Sequence, residues 1–503
     1  MQKKIIIYLM LVLGILSNSC SFFARSKERN PASVLTSSAL AQIYYEVNTV
    51  NQLNSTDPLI CRNNYDELYN KLFAIVGLAT YFDVADLKTI DADIQTSFET
   101  RLALKDSFIN FSVKNNEDKA CLKSAQDVFS AIRYIEDYLI ENRMNKMVNP
   151  PNEYVSMIGN FPYFLINPKF VGEFRTIKDL KSGDVILSRG NAYSSAAIAG
   201  IAETNYQFSH LSFVYKDQES KELFTSEAHI EIGSVVTPFQ NHISEKNVRS
   251  VIFRYKDEDV AQRASKIMVQ KIKKQQDLGS NIQYDFSMNY RDDSRLFCSE
   301  IISDGFKQAL PESDYLPKFT SKLKKGIVSF VKAIGVPVTS KNIANYDIFA
   351  PGDIQFDPHF DLVAEWRNPK KMEESRFKDY ILTKMFERME NEGYKIDPSI
   401  KMDAESKGLW LLRRTPLVKQ FLEKKFALNM NTLQIELFIA LDKIGRLIYH
   451  NLEMRSHEYA RQMTPKEILL EIDDFIKKDY IVYKNYKSRH RGLKPMFHLL
   501  FHP

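Results

Sequence analysis

The chain has 503 residues, of which 44% are hydrophobic, 12% aromatic and 26% charged. This composition supplies a sizeable core and excludes a mainly disordered or fibrous protein, and the length corresponds to about three domains. The formal net charge of +5 is too weak over such a length to indicate a nucleic-acid partner, so none is predicted. Four cysteines are too few for a disulfide scaffold.

Residues 1–20 resemble a bacterial lipoprotein signal peptide. A basic pair precedes an apolar run, Ile5–Leu16, which is too short to span a bilayer as a helix. The resemblance implies that the thiol of Cys20 is acylated and becomes the first residue after cleavage, which anchors the protein stably in a membrane. Because Ser21 rather than Asp follows the cysteine, we expect the outer membrane, facing the periplasm. Ordinary secretion is the alternative, and no later stretch predicts a transmembrane helix.

Export would place the remaining cysteines in an oxidising compartment. Cys61 and Cys121 both lie in the N-terminal third, and we expect them to form a disulfide between two helices. Two unpaired structural thiols are the alternative. Cys298 is then left without a partner, and an unpaired thiol in an exported protein calls for an explanation.

The predicted elements divide the rest of the chain into three regions. Residues 34–150 have helical periodicity and end in a Pro-Pro linker. Residues 166–335 contain nine of the 17 glycines and combine short β-type runs with helical stretches. Residues 340–503 form a C-terminal extension that is mostly helical. We therefore expect an α+β fold, in which a small antiparallel sheet with packed helices is flanked by two helical regions. The β-type runs are Asp184–Leu187, His210–Tyr215, Leu223–Ser226 and Val251–Tyr255, and the helical stretches are 258–275, 298–310 and 318–333.

Cys298 is predicted to lie at the N-terminus of a helix. Ile302 and Phe306 follow it with helical spacing, and Pro311 ends the run. At that position the helix dipole and the free N–H groups stabilise a thiolate, which is the nucleophile that amide or ester cleavage needs. A small buried apolar residue is the alternative interpretation of a lone cysteine.

His210 begins a strand that a polar connection, Lys216–Lys221, joins to the next strand. If this hairpin closes symmetrically, His210 faces Glu227 directly, with Cβ atoms about 4.5–5.5 Å apart. The carboxylate would then orient the imidazole, as the third member of a nucleophile–base–orienter triad does. His229 and Glu231 lie on the same side of the strand and are alternative partners.

The residues His210, Glu227 and Cys298, in this order along the chain and with the segments around them, resemble the circularly permuted branch of the NlpC-type papain-like cysteine hydrolases, the YiiX-like family. The similarity covers residues 178–310, about a quarter of the chain, and the order His, acid, Cys reverses that of ordinary papain-like enzymes. The resemblance implies a permuted papain-like domain in which Cys298 is the nucleophile, His210 the general base and Glu227 the orienting residue. The matching segments are Gly183–Leu187, Ser209–Val214, Glu227–Ala228, Tyr284–Asp285 and Phe297–Ile302, with Phe297 standing where the family often has Tyr.

The predicted function is an envelope cysteine hydrolase that cleaves amide bonds, with the stem peptides of peptidoglycan as its substrate and a thioester intermediate. Tyr284 is expected to line the substrate site, with core packing as the alternative. A lipid or fatty-acyl amidase, esterase or acyltransferase is the first alternative function, and a non-catalytic scaffold lipoprotein is the second. The apolar segment Ala196–Ala202 fits either a helix packed under the site or the lining of an acyl pocket.

No cofactor and no metal are predicted. His498 and His502 are four residues apart at the C-terminus, without an acidic or cysteine ligand nearby in the sequence. The sequence has no metalloprotease, CxxC or EF-hand pattern, and no Walker or Rossmann glycine motif.

Overall fold

The structure is a computed structural model. It describes residues 31–53, 55–74, 85–151, 154, 157–204, 206–243, 247–310, 316–415, 429–459, 462–489 and 492–503. The predicted signal peptide with Cys20 lies outside these residues, as does the predicted helix stop at Pro311. Within the described part of the chain, no helix combines the length and the apolar character needed to cross a membrane.

Among the residues that the structure describes, four α-helices belong to the N-terminal region. Asn115 caps the longest of them, because its side chain accepts the N–H of Asp118. Asp118 is itself an acidic residue in the first turn, where the helix dipole favours a negative charge. A disulfide joins Cys61 to Cys121, with Cα atoms 5.6 Å apart, and so ties the second helix to the fourth. The helices are α1 (Pro31–Leu53), α2 (Pro58–Ala74), α3 (Leu87–Ser107) and α4 (Asn116–Asn145).

The central sheet has seven antiparallel strands in the order β1-β9-β6-β2-β3-β4-β5. Side chains alternate between its two faces: Val185 and Leu187 belong to the main core, while Ile186 packs with a smaller apolar cluster on the opposite face. The strands are β1 (Phe164–Ile166), β2 (Val185–Gly190), β3 (His210–Lys216), β4 (Leu223–His229), β5 (Gly233–Pro238), β6 (Asn247–Tyr255) and β9 (Phe360–Arg367).

The sheet is larger than the small sheet predicted from the sequence, and it crosses the predicted boundary near residue 335. β9 comes from the predicted C-terminal extension, yet it pairs with β6 on one side and with β1 on the other. Its core-facing positions include Glu365 and Arg367, which made the segment a poor match to an apolar strand pattern. The C-terminal extension is therefore part of the same fold as the sheet.

Two helices pack against the main-core face of the sheet, α6 (Glu258–Asp277) and α7 (Cys298–Ala309). Gly305 allows their close approach, because a Cβ atom there would lie 2.8 Å from Met268 of α6 and 3.0 Å from Phe213 of β3. The short helix α5 (Tyr193–Gly200) packs instead against helices of the C-terminal region.

The C-terminal region is mainly helical, as predicted. Thr464 and Glu467 form a capping box at the start of its last helix, because the Glu467 carboxylate accepts the N–H of Thr464 at 2.8 Å and the N–H of Glu467 donates to the Thr464 hydroxyl. The predicted helix over 318–333 is wrong in its first half, which is a two-residue strand followed by a 3-10 turn. In the described part of this region, the remaining α-helices and strands are β7 (Ser321–Lys322), α8 (Val328–Ile334), β8 (Asp347–Ile348), α9 (Pro369–Glu392), β10 (Lys395–Ile396), α10 (Ile400–Leu412), α11 (Thr432–Ser456), α12 (Pro465–Arg489) and β11 (Phe501–His502).

A buried network of charges joins the N-terminal helices to the sheet. Arg101 of α3 donates to both carboxylate oxygens of Glu136 at 2.8–2.9 Å and also pairs with Glu365 of β9. Arg367 of β9 bonds Glu136 and Asp137 of α4 in turn, at 2.5 and 2.7 Å. These side chains are 0–3% exposed. Removing one of them would leave a buried partner without its counter-charge, which is strongly destabilising.

Candidate active site

The β3–β4 hairpin brings His210 and Glu227 together, although not in the register predicted from the sequence. Glu227 lies opposite Ser212 rather than opposite His210, a shift of two residues. The connection is asymmetric because Asp217 accepts the N–H groups of Glu219 and Ser220 in a turn at its start. A shift of two keeps every side chain on its predicted face, so the carboxylate still reaches the imidazole from the diagonal position.

Glu227 is a buried carboxylate with donors on both oxygens. Its Oε2 lies 2.9 Å from Nε2 of His210, and its Oε1 accepts the Thr225 hydroxyl at 2.7 Å. Burial alone would raise the pKa of Glu227, but the charge of His242 and the hydrogen bonds with His210 and His242 outweigh it and hold the pKa well below its usual range. The carboxylate therefore stays ionised beside the imidazole.

His210 is held between Glu227 and Cys298. Glu227 bonds Nε2 of the imidazole, and the ring is also hydrogen-bonded with Cys298. Burial would lower the pKa of His210, but hydrogen bonds to Cys298 and Glu227 outweigh that effect and raise the pKa to about 10. The imidazole is therefore a cation at neutral pH. Its side chain is 21% exposed, so it forms the accessible edge of the group.

Cys298 is the first residue of α7, as predicted, and it is 1% exposed. Its sulfur lies 4.0 Å from the carbonyl oxygen of Ser209, the residue before β3. Its own backbone N–H has no partner inside the helix, because the first N–H groups of any helix point outward from its N-terminus. The thiol thus lies beside a free backbone donor and a cationic imidazole.

Glu300 closes the start of α7. Its Oε2 accepts the N–H of Phe297 at 2.6 Å. Burial and the neighbouring Asp285 carboxylate raise the pKa of Glu300 well above its usual range. The hydrogen bond of Glu300 ties the residue before Cys298 to the first turn of α7.

His242 is a component of the site that sequence reasoning missed. It follows the one-turn 3-10 helix Phe239–Asn241, and its Nδ1 lies 3.2 Å from Oε2 of Glu227 and 3.2 Å from the Ser212 hydroxyl. The residue is 6% exposed. It lies four residues after the end of β5 at Pro238, and no local pattern in the sequence shows that it reaches Glu227.

His229, an alternative partner in the sequence analysis, lies against the same group. Its ring stacks on His210 with centroids 5.2 Å apart, and its Nε2 is 3.5 Å from Glu227. Burial is the main cause that lowers the pKa of His229 to about 4, so this ring is neutral at pH 7. Packing a neutral ring on His210 shields the imidazole without adding a competing charge.

Tyr284 lies beside Cys298, but it is 2% exposed and packs with Phe286 and Phe297. Burial and the nearby charge of Cys298 raise its pKa well above the usual range. Its carbonyl oxygen accepts the side-chain amide of Asn429 at 3.0 Å. Tyr284 is therefore a buried, packed residue next to the site.

His210, Glu227 and His229 have ligand atoms within 4.8 Å of one another, close enough to hold a metal ion. A metal there would take the nitrogen and the oxygen that His210 and Glu227 use to bond each other. His498 and His502, from which no metal site was predicted, lie against different carboxylates, Asp479 and Asp397. His498 has an acidic partner that its sequence neighbourhood did not show, because its Nδ1 lies 2.7 Å from Asp479 of α12.

The segment that carries these residues is also the one that resembles known proteins. Residues 179–345 match the family described as "Permuted papain-like amidase enzyme, YaeF/YiiX, C92 family". The matched segment contains His210, Glu227 and Cys298. A solved structure titled metalloprotein YiiX from Escherichia coli O157:H7 is similar at 20% identity and a TM-score of 0.28, covering 37% of this chain and 98% of that one. No curated protein matches. The protein is a cysteine peptidase or amidase-type hydrolase with a permuted papain-like domain between helical flanks.

Proposed function

We propose that the protein is a cysteine amidase of the bacterial envelope, which cleaves peptide stems of peptidoglycan through Cys298, His210 and Glu227. The position of the His210 imidazole, between an ionised carboxylate 2.9 Å away and the thiol, carries this proposal. That arrangement is the nucleophile–base–orienter set of cysteine hydrolases.

In the first half of the reaction, the Cys298 sulfur attacks the amide carbon and forms a C–S bond. His210 holds the proton that the thiol has given up, and Glu227 stabilises the resulting imidazolium. Negative charge develops on the carbonyl oxygen, and the N–H of Cys298 at the start of α7 donates a hydrogen bond to that oxygen as one donor of an oxyanion hole. The partial positive charge at the N-terminus of α7 adds to the same stabilisation.

In the second half, the C–N bond breaks and His210 gives its proton to the leaving amine. The product remains on Cys298 as a thioester. Water then attacks the thioester carbon while His210 accepts one of its protons, the C–S bond breaks, and the carboxylic acid product leaves. Cys298 and His210 return to their initial ion pair.

Peptide is favoured over acyl lipid by the side chains at the accessible edge of the site. His210 and His229 are partly exposed there, and Glu231 lies close enough to Tyr284 for its charge to affect that residue's pKa. The apolar segment that offered an acyl pocket forms α5, which packs against α9 and α11. A polar rim suits a charged peptide better than an alkyl chain.

The envelope location is proposed from the sequence of residues 1–20. A lipid anchor on Cys20, with outer-membrane sorting, would hold the enzyme beside the cell wall. The disulfide between Cys61 and Cys121 is consistent with an oxidising periplasm.

The test is to incubate the purified protein with muropeptides and to identify new amine and carboxyl termini by mass spectrometry. Cleavage by the wild type that is lost in Cys298→Ala and His210→Ala supports the proposal. A parallel panel of N-acyl and ester lipids tests the first alternative, and activity confined to that panel overturns the peptide substrate. Binding without turnover, unchanged by Cys298→Ala, would identify a scaffold lipoprotein instead.

A further inference from the structure

A cleft of about 480 Å³ lies where the three regions of the chain meet. One side comes from α2 and α4, and the other from α9 and the start of α12; Thr204 and Lys324 complete it from the central region. Small-molecule sites have this size and favour such junctions. The side chains that line the cleft do not include Cys298, His210 or Glu227, so it is separate from the candidate active site.

The floor of the cleft is apolar and aromatic. Tyr134 of α4 stacks on Tyr380 of α9, with centroids 6.3 Å apart and planes 28° apart. Leu72, Ile135 and Tyr138 extend this surface. Side chains of this kind bury the apolar body of a ligand, and the tyrosine rings add a rigid contact.

The charges that line the cleft favour an anion. Four are cationic, Lys123, Lys324, Lys466 and Arg376, and two are anionic, Asp127 and Glu203. Two of the cations already have partners: Lys123 pairs with Asp127 at 2.8 Å, and Arg376 pairs with Glu141 at 2.6 Å. Lys324 and the exposed Lys466 then carry the remaining positive charge, against one remaining carboxylate, Glu203.

Lys324 is the key residue. Burial is the main cause that lowers the pKa of its ammonium group, and the group lies 5.7 Å above the ring of Phe386. Among the residues that the structure describes, no carboxylate lies within 4.0 Å of it, although Glu387 and Glu390 act on it from farther away. A partly desolvated cation without a close counter-ion is unfavourable, and an anionic ligand group would offset that cost.

We propose that this cleft binds a small anionic amphiphile, in which one carboxylate is attached to a single apolar chain. The chain lies along Tyr134, Tyr138 and Tyr380, and the carboxylate pairs with Lys324. This inference is independent of the proposed hydrolase reaction, since it uses none of the residues of that site.

The test is calorimetric titration of the purified protein with sodium decanoate below its micelle concentration at pH 7.5. We expect saturable binding at one site. Lys324→Met keeps the length of the side chain and removes its charge, and we expect it to weaken binding about tenfold, or about 1.4 kcal/mol. Ala131→Phe, which projects a ring from α4 into the cleft, should abolish binding.

Lys325→Met is the matched control, because Lys325 is the exposed neighbour of Lys324 and does not line the cleft. It should bind decanoate like the wild type. Decanol tests the neutral chain alone and should bind at least tenfold more weakly than decanoate. Equal binding of decanol and decanoate, wild-type affinity in Lys324→Met, or no binding to the wild type would each overturn the proposal. Melting curves of the variants establish that they are folded.

Discussion

Replacing Glu227 by Gln tests the electrostatic core of the proposed mechanism, because it keeps the size of the side chain and removes its charge. His210 has its pKa raised from an ordinary 6.5 to about 10 by its bonds to Glu227 and Cys298. An opposite charge at hydrogen-bond distance is responsible for roughly 1–3 pKa units. In the variant, the pKa of His210 should therefore fall to between roughly 7 and 9, a loss of about 1.4–4 kcal/mol in stabilisation of the imidazolium.

The assay is the rate at which iodoacetamide alkylates Cys298 between pH 5 and pH 11. Because the pKa of His210 is raised, its positive charge is present below pH 10 and is lost as the pH rises through that value. Loss of the charge frees the thiolate from its ion pair, so we expect an upper step in the wild-type rate near pH 10. In Glu227→Gln that step should move down by 1–3 pH units.

The matched control is Glu231→Gln, the same chemical change four residues along the chain. It should leave the upper step near pH 10, because His210 bonds Glu227 and not Glu231. The reasoning is refuted if the step stays in place in Glu227→Gln, or if Glu231→Gln moves it equally far.

Three further predictions concern other parts of the structure. His242→Leu should slow alkylation at pH 6–7 about tenfold or more by removing a donor to a carboxylate, and His242→Asn should restore most of the rate with a donor near Nδ1. Equal rates in both variants would exclude a positioning role. Arg101→Met should lower the free energy of unfolding by about 3–5 kcal/mol in urea, whereas Arg62→Met, at an exposed ion pair, should cost under about 1 kcal/mol. Replacing Cys61 and Cys121 by Ser opens a loop of 60 residues and should cost about 4 kcal/mol. A reductant should then lower the melting temperature of the wild type only.

The side-chain period of a strand explains why the sequence predicted the His210–Glu227 contact from a wrong register. The symmetric hairpin placed the two residues directly opposite, and the structure shifts the pairing by two. A shift of one would have moved Glu227 to the other face, but a shift of two preserves the face. The prediction that Cys298 lies at a helix N-terminus had a stronger basis, because the apolar spacing after it marks one side of a helix.

The features that the sequence did not show depend on contacts between distant segments. β9 carries Glu365 and Arg367, which are typical of an exposed segment, and they are buried only because α3 and α4 supply their partners 230–264 residues away. His242 likewise reaches Glu227 from the 3-10 helix that follows β5. Local periodicity carries no information about either pairing.

The N-terminal helices help to position the candidate active site. Asp137 of α4 bonds both Arg367 of β9 and Arg249 of β6, at 2.7 and 2.5 Å. Arg249 also donates to the carbonyl oxygen of Gln207 at 3.2 Å, three residues before His210. The same short segment carries Ser209, whose carbonyl lies against the Cys298 sulfur. Each of these charges is buried and needs its partner. The backbone that leads into β3 is therefore held by Asp137, which lies outside the segment that matches the amidase family. The helical flank is thus a structural requirement of the site, since it holds the backbone that presents His210 to the thiol.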